Sequence, residues 1–270
     1  MLKTRALTAA VLLAGFGSAL FLLPQWGWIA FCALVLAAAV WEWGALATLA
    51  PPGRFAYTAL LILLFVAPLG LPGSGPQALY VPAWVYVAAG VFWVLLAPLW
   101  IWASPRLTGK AVLLAAGILI LVPACAALVD LRRGHPGLLL AVLGTVWISD
   151  SAAYFVGRRF GKRKLAPSVS PGKTWEGVAG ALAAVVLYAL AWAELGAPRG
   201  AWDGGTRAAF VLVLLGLAAV GIIGDLFESL IKRQAGVKDS GSLLPGHGGV
   251  LDRIDAPVAM LPLAVLAFMT

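Results

Sequence analysis

Charge is what this sequence has least of. Asp, Glu, Lys and Arg make up 11% of its 270 residues, where a soluble domain carries about 25%. So few charges cannot coat a globule of this size, which argues against a soluble enzyme or a free nucleic-acid binder. Cysteine is scarcer still. Cys32 and Cys125 each sit deep in an apolar run, with no metal-ligand spacing and no disulfide framework. They read as small packing residues. What the chain has in plenty is apolar surface, 62% of its residues, with a mean hydropathy of +0.98. That excludes disorder, which needs low hydrophobicity. The composition predicts an all-α, polytopic transmembrane helical bundle.

Lys and Arg number 19 against 11 acids, a net charge of +8. On a membrane protein that excess belongs in cytoplasmic loops rather than on nucleic acid. It can also gather phosphate-bearing ligands and anionic lipid. Lys3 and Arg5 precede an apolar stretch and suggest a signal peptide, but Leu23-Pro24-Gln25-Trp26 offers no small-residue cleavage site. The first span is therefore expected to stay. Runs of membrane-spanning character fall at 6–23, 27–49, 55–72, 80–103, 111–130, 137–156, 177–197, 207–231 and 256–270, about nine spans. Backbone groups in lipid must satisfy one another, so the runs are helices. Pro24, Pro51-Pro52-Gly53, Pro72-Gly73, Pro105, Gly134 and Pro136 mark the gaps. With the N-terminus in the cytoplasm, 15 of the 19 basic residues fall inside, which favours N-in and C-out. Arg132-Arg133 is the one local violation. Residues 1–135 then form a scaffold of helices, and 136–270 carry two cytoplasmic loops, 157–176 and 232–255.

Those two loops hold most of the polar chemistry. In the second, Asp225, Glu228, Ser229 and Lys232 recur at i, i+3, i+4 and i+7, one face of a helix at the end of an apolar span. An ionisable residue in such a place is costly and points to function. Asp239, Asp252 and Asp255 follow, the last two again i, i+3. Carboxylates clustered at a membrane surface suit Mg²⁺, which takes one or two of them plus substrate phosphates. Lys232, Arg233 and Arg253 supply phosphate partners, and Gly246-His247-Gly248-Gly249 lets backbone approach a ligand. The blander alternative is a set of ion pairs closing helix ends. In the first loop, Asp150 and Tyr154 lie i, i+4 on the sixth span, and Ser170, Lys173 and Thr174 can grip phosphate oxygens. Gly172-Lys173-Thr174 is no P-loop, because the first glycine of that motif would fall on Pro167 and no strand pattern precedes it. Arg158 to Lys164 equally suit an anchor on anionic lipid.

From Ser229 to Asp255 the chain reads Ser-x-x-Lys-Arg-x4-Lys-Asp-x5-Pro-Gly-His-Gly-Gly-x-x-Asp-Arg-x-Asp. This resembles the signature of the phosphatidate cytidylyltransferases, the CDP-diacylglycerol synthases. Asp150-x-x-Ala-Tyr-x-x-Gly-Arg, leading into Ser170-Pro-x-Lys-Thr-x-Glu-Gly177, is similar to a second region of the same family. The resemblance covers the C-terminal half strongly and the first five spans only in general character. It implies a polytopic inner-membrane enzyme, its site facing the cytoplasm, that joins CTP to phosphatidic acid and releases pyrophosphate. No nucleic acid is expected, and a homodimer is left open.

On that reading Asp225 and Asp252 hold Mg²⁺, with Asp225, Lys232 and Asp252 at the centre of the chemistry. Asp239 and Asp255 hold a second cation or orient basic groups. Ser170, Lys173, Thr174, Ser229, Arg233, His247 and Arg253 bind the triphosphate or the lipid phosphate. A CTP-dependent lipid kinase acting on a polyprenol-type alcohol is the first rival and would release CDP. An anion transporter is the second, but the half-repeats it predicts are absent. Glu42, mid-span between Trp41 and Trp43, has no assignable partner. His135 reads as solvated, and the 12 Trp mostly suit an interfacial belt.

Overall fold

A computed structural model describes residues 2–70, 79–104, 109–195 and 203–270. Arg106 and Arg199 of the charge count, and Pro72, Gly73 and Pro105 of the gaps, lie outside them. The described chain is almost wholly helical: α1 (Leu2–Leu22), α2 (Gln25–Leu46), α3 (Pro51–Val66), α4 (Ala83–Val91), α5 (Ala97–Ala103), α6 (Lys110–Gly134), α7 (Pro136–Phe160), α8 (Trp175–Leu195), α9 (Gly204–Gln234) and α10 (Leu251–Phe268). A π turn at Phe92–Leu96 joins α4 and α5 into one rod. The described residues thus form nine rods, close to the nine apolar runs. Six are long and apolar enough to cross a membrane: α2, Ala83–Ala103, α6, α7, α8 and α9. Two shorter apolar stretches, Ala10–Leu22 and Pro51–Val66, accompany them. Helix α10 carries Asp252, Arg253 and Asp255 in its opening turns.

Proline sets several boundaries. Pro51 and Pro52 open α3 and Pro136 opens α7, where a missing N–H costs nothing. Ser104 ends α5 in the left-handed region, at φ +40°. Contacts between rods show them running alternately up and down. At one end, Arg132 on α6 donates Nε to Leu20 O at 2.8 Å, donates Nη2 to Leu23 O, and lies 5.1 Å over the Trp28 ring. Its guanidinium thereby closes the carbonyl end of α1, a structural use for one member of the pair that breaks the charge asymmetry. Asp130, buried nearby, accepts from Tyr80 N at 2.7 Å and Tyr86 O–H at 2.5 Å. His135 is exposed and caps α7 by accepting from Gly137 N at 3.0 Å.

At the other end, the rings of Trp43, Phe92, Trp93 and Trp100 close around Phe227 of α9, with centroids 5.3–6.5 Å apart. Trp28, Trp43 and Trp93 are therefore core residues, while Trp26, Trp84, Trp102 and Trp175 are exposed near helix ends and Trp147 is exposed midway along α7. Both cysteines are buried and free. The first polar loop is more ordered than an open loop. Lys164–Ala166 (β1) and Ser170–Thr174 (β2) pair as an antiparallel hairpin, Lys164 opposite Thr174 and Ala166 opposite Ser170. Glu176 ties its base by accepting from Lys162 N at 3.1 Å and Arg163 N at 3.2 Å.

Candidate active site

The hairpin, the last turns of α9, the loop 235–250 and the start of α10 converge at one end of the bundle. At 31 residues, α9 is about 46 Å long, well beyond the ~30 Å hydrocarbon core. Its final turns can therefore carry charge past the apolar layer.

On those turns Asp225 meets β2 of the hairpin. Lys173 Nζ lies 2.5 Å from Asp225 Oδ2, with the two side chains 24% and 33% exposed. Ser229 Oγ donates to Asp225 Oδ1 at 3.4 Å. Helix α10 crosses closely here, because a Cβ on Gly224 would stand 2.6 Å from the Asp255 carbonyl oxygen. Asp255 is thereby brought into the fields of Asp225, Asp150 and Lys173. Asp150, on α7, feels Asp225, Lys173 and Arg253. One ammonium from the hairpin thus pairs with Asp225, and carboxylates from two further helices, Asp150 and Asp255, stand within its field.

A second charged group stands two turns, about 10 Å, further along α9. Lys232 Nζ is 2.5 Å from Asp252 Oδ1 and 3.3 Å from Glu228 Oε1. Asp252 Oδ2 accepts from Gly249 N at 2.8 Å, Ser240 N at 3.0 Å and Ser240 Oγ at 3.1 Å. Glu228 is 4% exposed, and its tie to Lys232 is an ion pair without an aligned hydrogen bond.

The residues expected from sequence fall into three sets. Lys173, Asp225, Ser229 and Asp255 form the first charged group, and Lys232 and Asp252 the second. Asp225 and Asp252 thus have different basic partners. The remaining residues stand apart. Arg253 donates Nε and Nη2 to His247 O at 3.1 and 2.9 Å, bracing a turn in which Gly246 and Gly248 adopt φ of +75° and +82°. Arg233 donates to Val237 O at 3.3 Å, and Asp239 is exposed on the loop. Ser170 opens β2, half-buried. Thr174 is buried and its hydroxyl accepts from Gly177 N at 3.1 Å, so it caps α8.

Glu228 was placed on the charged face without a role and Glu176 ties the hairpin, and two further carboxylates at this end, Asp150 and Glu42, were not among the expected site residues. Asp150 was noted for its spacing to Tyr154 and as the first residue of the second family-like segment, without a role of its own, and Glu42 had no partner. Both are acids within an apolar span, which is itself the signal for function. Glu42, on α2, accepts from Ser240 Oγ, Val250 N and Leu251 N.

The first group can neutralise and position phosphates. Among the described residues no three or more His, Cys, Asp or Glu are grouped so as to hold a metal ion. Mg²⁺ does not need such a cage, since it takes one or two carboxylates and fills the remainder with water and phosphate. Asp225 and Asp255 fit that demand. Asp252 fits it less well, because three hydrogen bonds from Gly249 and Ser240 as well as the Lys232 ammonium engage its oxygens, where Asp225 has one ammonium and one longer hydroxyl contact.

Beside this end lies a cavity of about 470 Å³ between α1, α2, α6, α7 and α10. Leu12, Phe31, Leu34, Leu128, Trp147 and Leu261 are among its walls, and Arg253 is the one charged residue lining it. An apolar chamber therefore ends on a guanidinium whose field also reaches Asp150.

Comparison with known proteins agrees with this chemistry. The profile of the cytidylyltransferase family matches residues 3–270. A phosphatidate cytidylyltransferase of Pseudomonas aeruginosa is 44% identical over 97% of this chain and 95% of its own length. That of Haemophilus influenzae is 37% identical over 97% and 96%. The Bacillus subtilis protein of the same name is 44% identical over 43% of this chain and 42% of its own.

Proposed function

The chain belongs to the cytidylyltransferase family, and from that premise we infer that it condenses CTP with phosphatidate, giving CDP-diacylglycerol and pyrophosphate. The observation that carries the site assignment is the 2.5 Å contact between Lys173 and Asp225. It joins the two charged segments of a charge-poor chain at one point.

In the reaction, an oxygen of the phosphatidate monoester attacks the α-phosphorus of CTP. A P–O bond forms there, the bond to the α–β bridging oxygen breaks, and its electron pair leaves with pyrophosphate. The attacking oxygen is already anionic, so no strong base is needed. The obstacle is repulsion between two anions, and catalysis rests on positioned charge. Lys173 and Ser170 receive the triphosphate, with Arg233 at the rim. As the triphosphate draws the Lys173 ammonium away, the carboxylate of Asp225 is released. Asp225 and Asp255 would hold a Mg²⁺, which would supply further neutralisation of the phosphates. Asp150 would add negative charge to that site. Asp252 keeps Lys232 extended toward the phosphates, and Thr174 fixes the hairpin on α8.

Phosphatidate enters from the lipid. Its acyl chains fill the apolar cavity and its phosphate meets Arg253, which His247 O holds at the rim. The excess of basic residues at this end supports a site facing the cytoplasm. Labelling of a cysteine placed at exposed Lys238 by a membrane-impermeant reagent tests that orientation. Labelling in inverted vesicles but not in intact cells is expected.

The decisive assay gives purified protein CTP, phosphatidate and Mg²⁺, and identifies the products. Pyrophosphate and CDP-diacylglycerol are expected, and EDTA abolishes both. Release of CDP with a phosphorylated lipid alcohol as product would overturn the reading in favour of a lipid kinase.

A further inference from the structure

Glu42 is a carboxylate in the last two turns of α2, 2% exposed, with no role in the chemistry above. A buried carboxylate is costly unless donors compensate it. Here the hydrogen-bond donors come from both ends of a single loop. Ser240 Oγ donates to Oε2 at 2.9 Å as the loop leaves α9. Val250 N donates to Oε1 at 3.0 Å and Leu251 N to Oε2 at 2.9 Å as it enters α10. The last two are N–H groups of a helix start, which have no partner within their own helix. The residue at the cap position of α10, Val250, offers no side-chain acceptor. Glu42 therefore caps α10 from another helix, with its charge at the positive end of the helix dipole.

The fit is close on both strands of the loop. A Cβ on Gly241 or on Gly249 would stand 2.7 Å from Glu42 Cδ. Glycine at both positions is what lets the loop cross over the carboxylate. Ser240 then links Glu42 to the site. Its hydroxyl lies 2.9 Å from Glu42 Oε2 and 3.1 Å from Asp252 Oδ2, and its N–H also donates to Asp252. Asp252 in turn holds Lys232.

We propose that Glu42 is a positioning residue: it pins the base of the loop 241–249 and, through Ser240, sets the Asp252–Lys232 pair for phosphate transfer. Helix α2, outside both signature segments, thereby becomes part of the working enzyme. The proposal rests on the reading above for its kinetic arm only.

Glu42→Gln and Ser240→Ala, singly and together, test it in the full-length protein in detergent. Each single variant is expected to lose about tenfold or more in kcat, the scale of one misplaced polar contact at a reacting phosphate, with KM for CTP within about twofold. The double variant falls no further than the worse single, because both break one chain of contacts. Trypsin cleavage at exposed Lys238 is expected to accelerate in all three variants, with elution volume unchanged. That arm needs no turnover, so it reports on the clasp even if the wild-type protein makes a different product. Folded variants with wild-type kcat, additive losses, or an unchanged rate of cleavage at Lys238 would each overturn the proposal. If Glu42→Gln fails to fold, Ser240→Ala alone, which keeps the cap on α10, must still lower kcat and speed cleavage at Lys238.

Discussion

The two ends of the helical bundle use their polar residues in opposite ways. At the end holding Asp130, Arg132 and His135, each of these side chains is committed to backbone or to a tyrosine of the same chain. Arg132 closes α1, Asp130 gathers Tyr80 and Tyr86, and His135 caps α7. At the other end, Lys173 and Asp225 are joined only to each other and to Ser229, and stay partly open to solvent. Asp150 and Asp255 stand within the field of the same ammonium. One end uses charge to close the fold, and the other keeps charge that an incoming phosphate can redirect. Burial alone does not separate them, since Glu228 is buried at the active end and Asp130 at the closed one.

This contrast can be broken most forcefully at Asp225. Asp225→Asn is expected to lower kcat by about 10²-fold or more, with the unfolding temperature in detergent hardly changed. A large fall in that temperature with activity preserved would erase the distinction. The opposite pattern is expected at the closed end. Tyr86→Phe strips Asp130 of one donor and should cost about 1–3 kcal/mol of stability, while folded protein keeps its specific activity. The smallest effect lies at the start of α9. The Asp203 carboxyl is held below the usual carboxylate range by hydrogen bonding with the Thr206 side chain and N–H, the latter at 2.7 Å. A lowered pKa gives stability that is present above the ordinary carboxylate range and lost as pH falls through the folded value. The gap in unfolding temperature between wild type and Asp203→Ala should therefore close on acidification, which a pH series of melts would measure.

Much of this was legible in the sequence, and for identifiable reasons. Apolar length alone located the rods, because a helix in lipid must be long and uninterrupted. The charged segments stood out because the remainder of the chain has so little charge. Spacing correctly put Asp225, Ser229 and Lys232 on one side of α9. It could not say that the face divides by height, with Lys173 at one level and Asp252 at another. That depends on where α10 crosses, which Gly224 decides. Glu42 was illegible because its partners lie about 200 residues away. The hairpin was hidden by its brevity and by Pro171 and Gly172 within a strand of five residues. Arg132 looked like a breach of charge asymmetry because a sequence does not reveal that a guanidinium is covering carbonyls.

The π turn at Phe92–Leu96 bears on how the enzyme can vary. It is one extra residue wound into a rod, absorbed by a wider turn so that the residues after it face nearly as they would without it. Deleting a single residue there would restore regular winding and leave Trp100 close to its present phase. The ring would stay against Phe227, which is flanked in the chain by Leu226 and Glu228 and lies two positions from Asp225. Loss of one position within Phe92–Leu96 should thus be far better tolerated than loss of one in the regular α turns on either side, which would rotate one part of the rod by about 100° against the other.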